Sequence, residues 1–224
     1  MPLYVKIIII AICSYFIGNI NFAIIISRFK HGDIRKSGSG NPGTMNVVRS
    51  YGKIIGALCL ILDAFKAAIP AFFSWWLVSG VPFDVTNKLG LYVCGLSIVI
   101  GHIYPVFMKF KGGKGIACIL GIALLAQPIV TIITFAVGLL FILFFKIGAL
   151  GSFLMILTPN IYELIMLGGN DLAVSALIFA IIVLATFAHR SNIVRMFTGR
   201  ENRTVFFPKK KKSESKPEIT KEES

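Results

Sequence analysis

Long apolar runs recur along almost the whole chain, and no other feature constrains the fold as strongly. A helix that crosses a bilayer needs about 20 mostly apolar residues. Runs of that order predict spans over residues 3–27, 54–79, 89–108, 147–167 and 172–188. Nearly all charged residues lie between the runs or after the last of them. They make up 15% of the chain, against about 25% in a soluble domain. The sequence thus predicts an all-α integral membrane protein. One polytopic domain covers residues 1–207, and a charged, disordered cytoplasmic tail covers 208–224.

The apolar stretch 116–145 is too long for one ordinary span, and Gln127-Pro128 interrupts it. Proline disfavours the helical conformation in the residue before it, so two helices are expected, 116–126 and 129–145. Charge parity supports the split. With two helices there, the basic segments 28–53 and 109–115, Lys146 and the basic tail all fall on one side. Cytoplasmic loops are enriched in Lys and Arg. The expectation is about seven transmembrane helices, an external N-terminus and a cytoplasmic C-terminus. The first run carries Lys6 but no small-residue cleavage site, so it reads as a retained helix.

The net charge of +13 on a soluble chain would suggest nucleic acid. Here the cations crowd into loops beside apolar runs, which points to orientation, membrane lipid headgroups or anionic substrates, and away from nucleic acid. Cys13, Cys59, Cys94 and Cys118 lie in or beside apolar runs and form no C-x-x-C pair. They read as free thiols, with no metal site and no cofactor implied.

Four polar constellations remain. The first is Ser37-Gly38-Ser39-Gly40-Asn41-Pro42-Gly43-Thr44-Met45-Asn46. It contains G-x-G-x-x-G, but no strand precedes it, so it is no dinucleotide fingerprint. Glycines still allow backbone N–H groups to approach an anion. Asn41 as N-cap and Pro42 at the first helical position predict a helix from 42 to about 51. Asn46, Arg49 and Lys53 would share one face, and Gly52 would end the helix. The plainer alternative is a glycine-rich connector followed by a solvated basic helix.

The second constellation is His102 with the loop Lys109-Phe110-Lys111-Gly112-Gly113-Lys114-Gly115, which is cationic and donor-rich but not a Walker A loop. The third is Asp63 with Lys66, spaced to pair on one helical face. Ionisable groups at membrane depth are costly and often functional, although a structural or supporting ion pair fits equally well. The fourth is His189, Asn192 and Arg195, which fall on one face if the last helix continues. Parity puts all four at the same membrane face, as one anion-handling site would require.

These segments resemble the acyl-phosphate-dependent glycerol-3-phosphate acyltransferases of bacteria (PlsY type). The matching stretches are Asp33-Ile34-Arg35 through Gly52-Lys53, Leu62-Asp63-Ala64-Phe65-Lys66, Gly101 through Ala117, and His189 through Glu201. The resemblance implies a seven-helix enzyme of the bacterial plasma membrane with its active site facing the cytoplasm. It would move a fatty acyl chain from acyl phosphate to the 1-hydroxyl of glycerol 3-phosphate, releasing lysophosphatidic acid and phosphate, the first step of phospholipid synthesis.

Carried across, His189, Asn192 and Ser39 are the expected catalytic residues. Expected at the substrate and its phosphates are Gly38, Gly40, Asn41, Gly43, Asn46, Arg49, His102, Lys111, Gly112, Gly113, Lys114, Ser152 and Arg195. The chain departs from the family pattern at Asn19, Asn21, Thr44-Met45, Cys118 and Ala149. Acyl phosphate carries its own leaving group, so no enzyme nucleophile is needed. The site must hold two anions, orient them and stabilise developing charge. Two alternatives stand beside this reading: a small multi-helix anion transporter, and a family member with an altered acceptor. A transporter would need polar groups through the bilayer depth, whereas here they gather at one face.

Overall fold

The computed structural model describes residues 1–201; the expected domain boundary at 207/208 and the lysine run 209–212 lie outside them. Among the described residues the fold comprises ten α-helices and two short 3-10 turns. The helices are α1 (Leu3–Gly18), α2 (Phe22–Phe29), α3 (Thr44–Tyr51), α4 (Lys53–Ser79), α5 (Leu89–Ile103), α6 (Ile116–Ala126), α7 (Pro128–Phe145), α8 (Gly148–Leu167), α9 (Leu172–Ala188) and α10 (Arg190–Phe197). Five helical segments of the described chain are long and apolar enough to cross a membrane; α9 with α10, bent by 56°, adds a sixth, and α6 has only 11 residues. The protein is a multi-pass, all-helical membrane protein.

The helices touch through small residues, as membrane helices must when lipid is as apolar as leucine. A Cβ on Gly18 of α1 would sit 2.4 Å from the Ile98 carbonyl of α5, and one on Gly101 would sit 2.1 Å from the Tyr15 carbonyl. Gly121 of α6 lies as close to the Ala64 backbone of α4. Helix α5 is central, with Leu91, Cys94, Ile98 and Val99 fully buried.

The break at Gln127-Pro128 is present as expected, with Pro128 at the start of α7. The first span is present too, as Leu3–Phe29, but its helix is interrupted. It divides at Asn19–Asn21, because the Asn21 side chain accepts from the Ile24 N–H at 3.0 Å and so caps a new helix, α2. At the other end of the bundle Lys88 meets Glu163 at 2.7 Å, both buried. Lys88 also reaches the Ala126 carbonyl at 3.4 Å, and Gln127 donates to Glu163. This cluster satisfies the polar groups freed where α6 stops short.

Candidate active site

Segment 37–43 lies over the start of α3, and Asn46 fixes its shape. Its amide donates to the carbonyls of Ile34 at 3.0 Å and Ser37 at 2.9 Å, and its Oδ1 accepts from Ser39 N–H at 3.0 Å. Gly38 has φ +57° and no room for a Cβ beside Asn46 Oδ1, so only glycine fits. Asn21 adds a second tether, donating to the Pro42 carbonyl at 3.1 Å.

This geometry corrects several expectations. Helix α3 starts at Thr44 with Gly43 as its cap, so Asn41 is not the N-cap and Pro42 is not its first residue. Part of the loop's amides are turned inward: Gly40 N–H donates to Ser37 O and Gly43 N–H to Asn41 O, both at 3.0 Å. Asn46 has both amide hydrogens engaged by backbone, so it shapes the loop and is not open to phosphate. Gly52 does end α3, with φ +90°, and Lys53 therefore begins α4 instead of sharing a face with Arg49.

The lysine loop folds back onto the end of α5. Gly112 N–H donates to Ile103 O at 3.1 Å and Gly113 N–H to His102 O at 3.0 Å. A Cβ on Gly112 would lie 2.0 Å from the His102 carbonyl, and one on Gly113 would lie 2.3 Å from His102 Nε2. These glycines permit close packing; their amides are not available to an anion. Lys109 and Phe110 both adopt positive φ, a strained pair, and the turn they form leads Lys111 and Lys114 to the cleft.

Beyond α9 the chain bends at His189 instead of continuing straight, yet the expected trio still converges. His189 is 3% exposed and packs at 4.7 Å from the Phe153 ring. Its Nδ1 lies 2.8 Å from the Ala185 carbonyl. A carbonyl only accepts, so Nδ1 carries the hydrogen and Nε2 of the neutral ring holds the lone pair. Glu201 clamps the segment, accepting from Asn192 Nδ2 at 2.8 Å and from Arg195 Nε at 3.1 Å. Asn192 Oδ1 is buried without a partner among the described residues.

These pieces line one cleft of about 840 Å³, within the usual size of a ligand site. Its mouth gathers Arg35, Arg49, Lys53, Lys111, Lys114 and Arg195, with Ser39, Gly40, Asn41, Gly43, Gly112, Ser152, His102, His189 and Asn192 among them; Gly38 and Gly113 lie behind the wall. Helices α3 and α6 begin here without side-chain caps, so two helix N-termini add partial positive charge. Ser152 donates to its own helix at Gly148 O, 2.8 Å, leaving its lone pairs toward the cleft. Burial lowers the Lys114 pKa to about 8, with the Arg195 charge adding to the effect and Glu201 opposing it.

The inner arm is apolar, formed by Leu60 of α4, Leu120 of α6, Phe135, Leu139 and Ile142 of α7, and Met155 of α8. Beneath the mouth, Asp63 and Lys66 do pair, at 2.8 Å, both buried. Sequence reasoning missed Glu201 as a clamp and Arg35 in the wall. Both lie within motifs whose roles only the tertiary contacts reveal.

A cationic mouth joined to an apolar arm, inside a polytopic helical bundle, defines a membrane protein whose cleft suits an amphiphile with an anionic head. The chain belongs to the glycerol-3-phosphate acyltransferase family, which it matches over residues 8–199. It is 39% identical over 201 residues to the glycerol-3-phosphate acyltransferase of Finegoldia magna, covering 89% of this chain and 97% of that one. The Aquifex aeolicus glycerol-3-phosphate acyltransferase is 38% identical over 200 residues, covering 88% and 99%. Among solved structures, the crystal structure of PlsY, an integral membrane glycerol 3-phosphate acyltransferase, in its glycerol 3-phosphate form superimposes with a TM-score of 0.74 at 37% identity, covering 88% of this chain and 94% of that one. Its lysophosphatidic acid form gives 0.73 at 36%, covering 89% and 96%.

Proposed function

We propose that this protein transfers a fatty acyl group from acyl phosphate to the 1-hydroxyl of glycerol 3-phosphate. The observation that carries this reading is the cleft itself, in which a cationic mouth continues into an apolar arm between α4, α6, α7 and α8. Both substrates need the mouth, and only the acyl chain needs the arm. The relatives' shared name and the bound forms of the PlsY crystal structures support the acceptor.

The roles follow from donors and acceptors. Arg49, Lys111, Lys114 and Arg195 neutralise two phosphate groups by charge-assisted hydrogen bonds. Asn192 Oδ1 is a buried acceptor without a donor among the described residues, which suits a polyol hydroxyl. His189 Nε2 accepts the 1-hydroxyl proton as the hydroxyl oxygen attacks the acyl carbonyl carbon. The bond from that carbon to the phosphate oxygen breaks, its electron pair leaves with phosphate, and the proton passes on to that phosphate. Cations at the mouth and the α6 N-terminus stabilise the transient oxyanion.

In this reading the chain crosses a bacterial plasma membrane about seven times, with the mouth and C-terminus cytoplasmic and the N-terminus external. The one-sided clustering of Lys and Arg supports that orientation. It also disfavours a transporter, since the cleft's polar groups sit at one end. The test is phosphate release by purified protein given acyl phosphate and glycerol 3-phosphate. Release that needs both, with lysophosphatidic acid formed, is expected; turnover with acyl-CoA alone as donor would overturn the reading.

A further inference from the structure

His102 is the one histidine in the cleft wall whose ring is held from behind by a cation. Its Nδ1 lies 2.9 Å from Lys66 Nζ. An ammonium has only hydrogens to offer, so His102 Nδ1 must hold a lone pair. Lys66 is fully engaged in that geometry: it meets Asp63 Oδ1 at 2.8 Å and the Ile20 carbonyl, with the Gly18 carbonyl at 3.4 Å. The hydrogen-bond acceptors of its three hydrogens are His102 Nδ1 and the carbonyls of Ile20 and Gly18, while the Asp63 carboxylate pairs with its charge. The neutral ring then carries its hydrogen on Nε2, the atom that faces Gly113 where the lysine loop meets the Pro42 carbonyl of the glycine segment.

The contrast with His189 sharpens the point. There a carbonyl behind Nδ1 fixes a hydrogen on Nδ1 and a lone pair on Nε2. Both residues line the same cleft, one with a hydrogen on Nε2 and the other with a lone pair there. An imidazole with a free choice of tautomer would offer a lone pair part of the time at a site built for anions, and a lone pair repels phosphate oxygen.

We propose that Lys66, anchored by Asp63, is a positioning residue that locks His102 in its Nε2–H tautomer, making that ring a permanent hydrogen-bond donor to a substrate phosphate. The proposal rests on the acyltransferase reading for the identity of the phosphate, but its spectroscopic arm does not. Replacing Lys66 alone would strand the buried Asp63 carboxylate, so the informative variant is Asp63→Leu with Lys66→Met, which removes both charges together. A second background, His102→Gln, places an amide N–H near the Nε2 position without needing Lys66.

The experiment has two readouts. In wild-type protein labelled with ¹⁵N-histidine, nuclear magnetic resonance should assign the His102 hydrogen to Nε2; a hydrogen on Nδ1 overturns the proposal whether or not any substrate turns over. In kinetics on protein that turns over acyl phosphate, the paired replacement should raise the KM for a phosphate substrate about tenfold, the loss of one hydrogen bond to a charged group, with a smaller change in kcat. Added to His102→Gln, it should change KM by less than about twofold, because coupled residues are not additive. Equal effects in both backgrounds would mean that the ion pair only supports the fold, and the proposal fails.

Discussion

Two buried polar clusters sit roughly 20 Å apart along α5, taking 1.5 Å per residue between Lys88 and His102. They differ in how they are closed. At one end, Lys88, Glu163, Gln127 and the Ala126 carbonyl answer one another, and Lys88 and Glu163 stay out of the cleft wall. At the other end, polar atoms are left open toward the cleft: among the described residues Asn192 Oδ1 has no partner, and His189 Nε2 is the far side of a ring tied at Nδ1. Buried polar groups are normally satisfied. A closed cluster therefore reads as structure, and an open one beside a cavity reads as a place for something else to bind.

The sharpest way to break that contrast is to remove the open atom at His189. His189→Ala should lower kcat by about 10²- to 10⁴-fold, the usual contribution of a positioned proton acceptor. Because His189 is buried, His189→Asn is the necessary companion: its amide can still donate toward Ala185 O, but nothing replaces Nε2. Both variants should lose kcat alike while the protein keeps its elution profile in detergent. Near-normal kcat in the asparagine variant would mean that the substrate phosphate takes the proton unaided.

The closed cluster should respond in the opposite way. Glu163→Ala leaves the Lys88 charge buried and unpaired, a change that costs about 3–5 kcal/mol of stability. Thermal unfolding in detergent should shift down, while the KM values of whatever folded enzyme remains should stay unchanged. A changed KM with unaltered unfolding would show that this end communicates with the mouth, and closure would no longer separate structure from function.

Between these extremes lie the cations proposed to hold phosphate. Arg49→Ala or Lys114→Ala each removes a charge-assisted hydrogen bond worth about 1.5–3 kcal/mol. That corresponds to a loss of about 10- to 150-fold in kcat/KM at ~1.4 kcal/mol per tenfold. Arg49 is solvent-exposed, so its variant is the cleaner measurement. If both variants keep wild-type efficiency, the basic loops set only topology.

The hydropathy pattern made the helical segments legible, because every residue of a lipid-facing helix reports its environment. It hid the break at Asn19–Asn21, since two asparagines vanish in a window of apolar neighbours although Asn21 is a good cap. The convergence of the mouth residues was legible from charge parity and family resemblance. The roles within it were not. Asn46 and Gly113 look like anion ligands in sequence, but their polar atoms are used by Ser37 and His102. Lys66 and His102 stand 36 positions apart, Asn21 and Pro42 21 apart. Pairings across helices leave no local periodicity to read.

The smallest predicted effect is the most diagnostic for Lys114. Its pKa is lowered to about 8, first by burial and then by the nearby Arg195 charge. Below that value the amine is a cation, as the proposed phosphate contact requires; as pH rises through about 8 it loses the proton, and kcat/KM should fall. A bound phosphate favours the charged form, so the fall in kcat should come at higher pH than the fall in kcat/KM. The substrate phosphates stay dianionic there, since their second pKa is about 6. Stability runs the other way. The unfolded chain, with its amine near the ordinary 10.5, binds more protons between about 8 and 10.5, so Lys114 makes the fold more stable as pH rises through that window. Alkaline loss of activity with no loss of unfolding temperature is therefore the expected signature, and denaturation cannot imitate it. Lys114→Arg keeps its charge throughout the range and should flatten the kcat/KM limb even if its absolute activity is lower. A limb that persists in the arginine variant would assign the titration to another group.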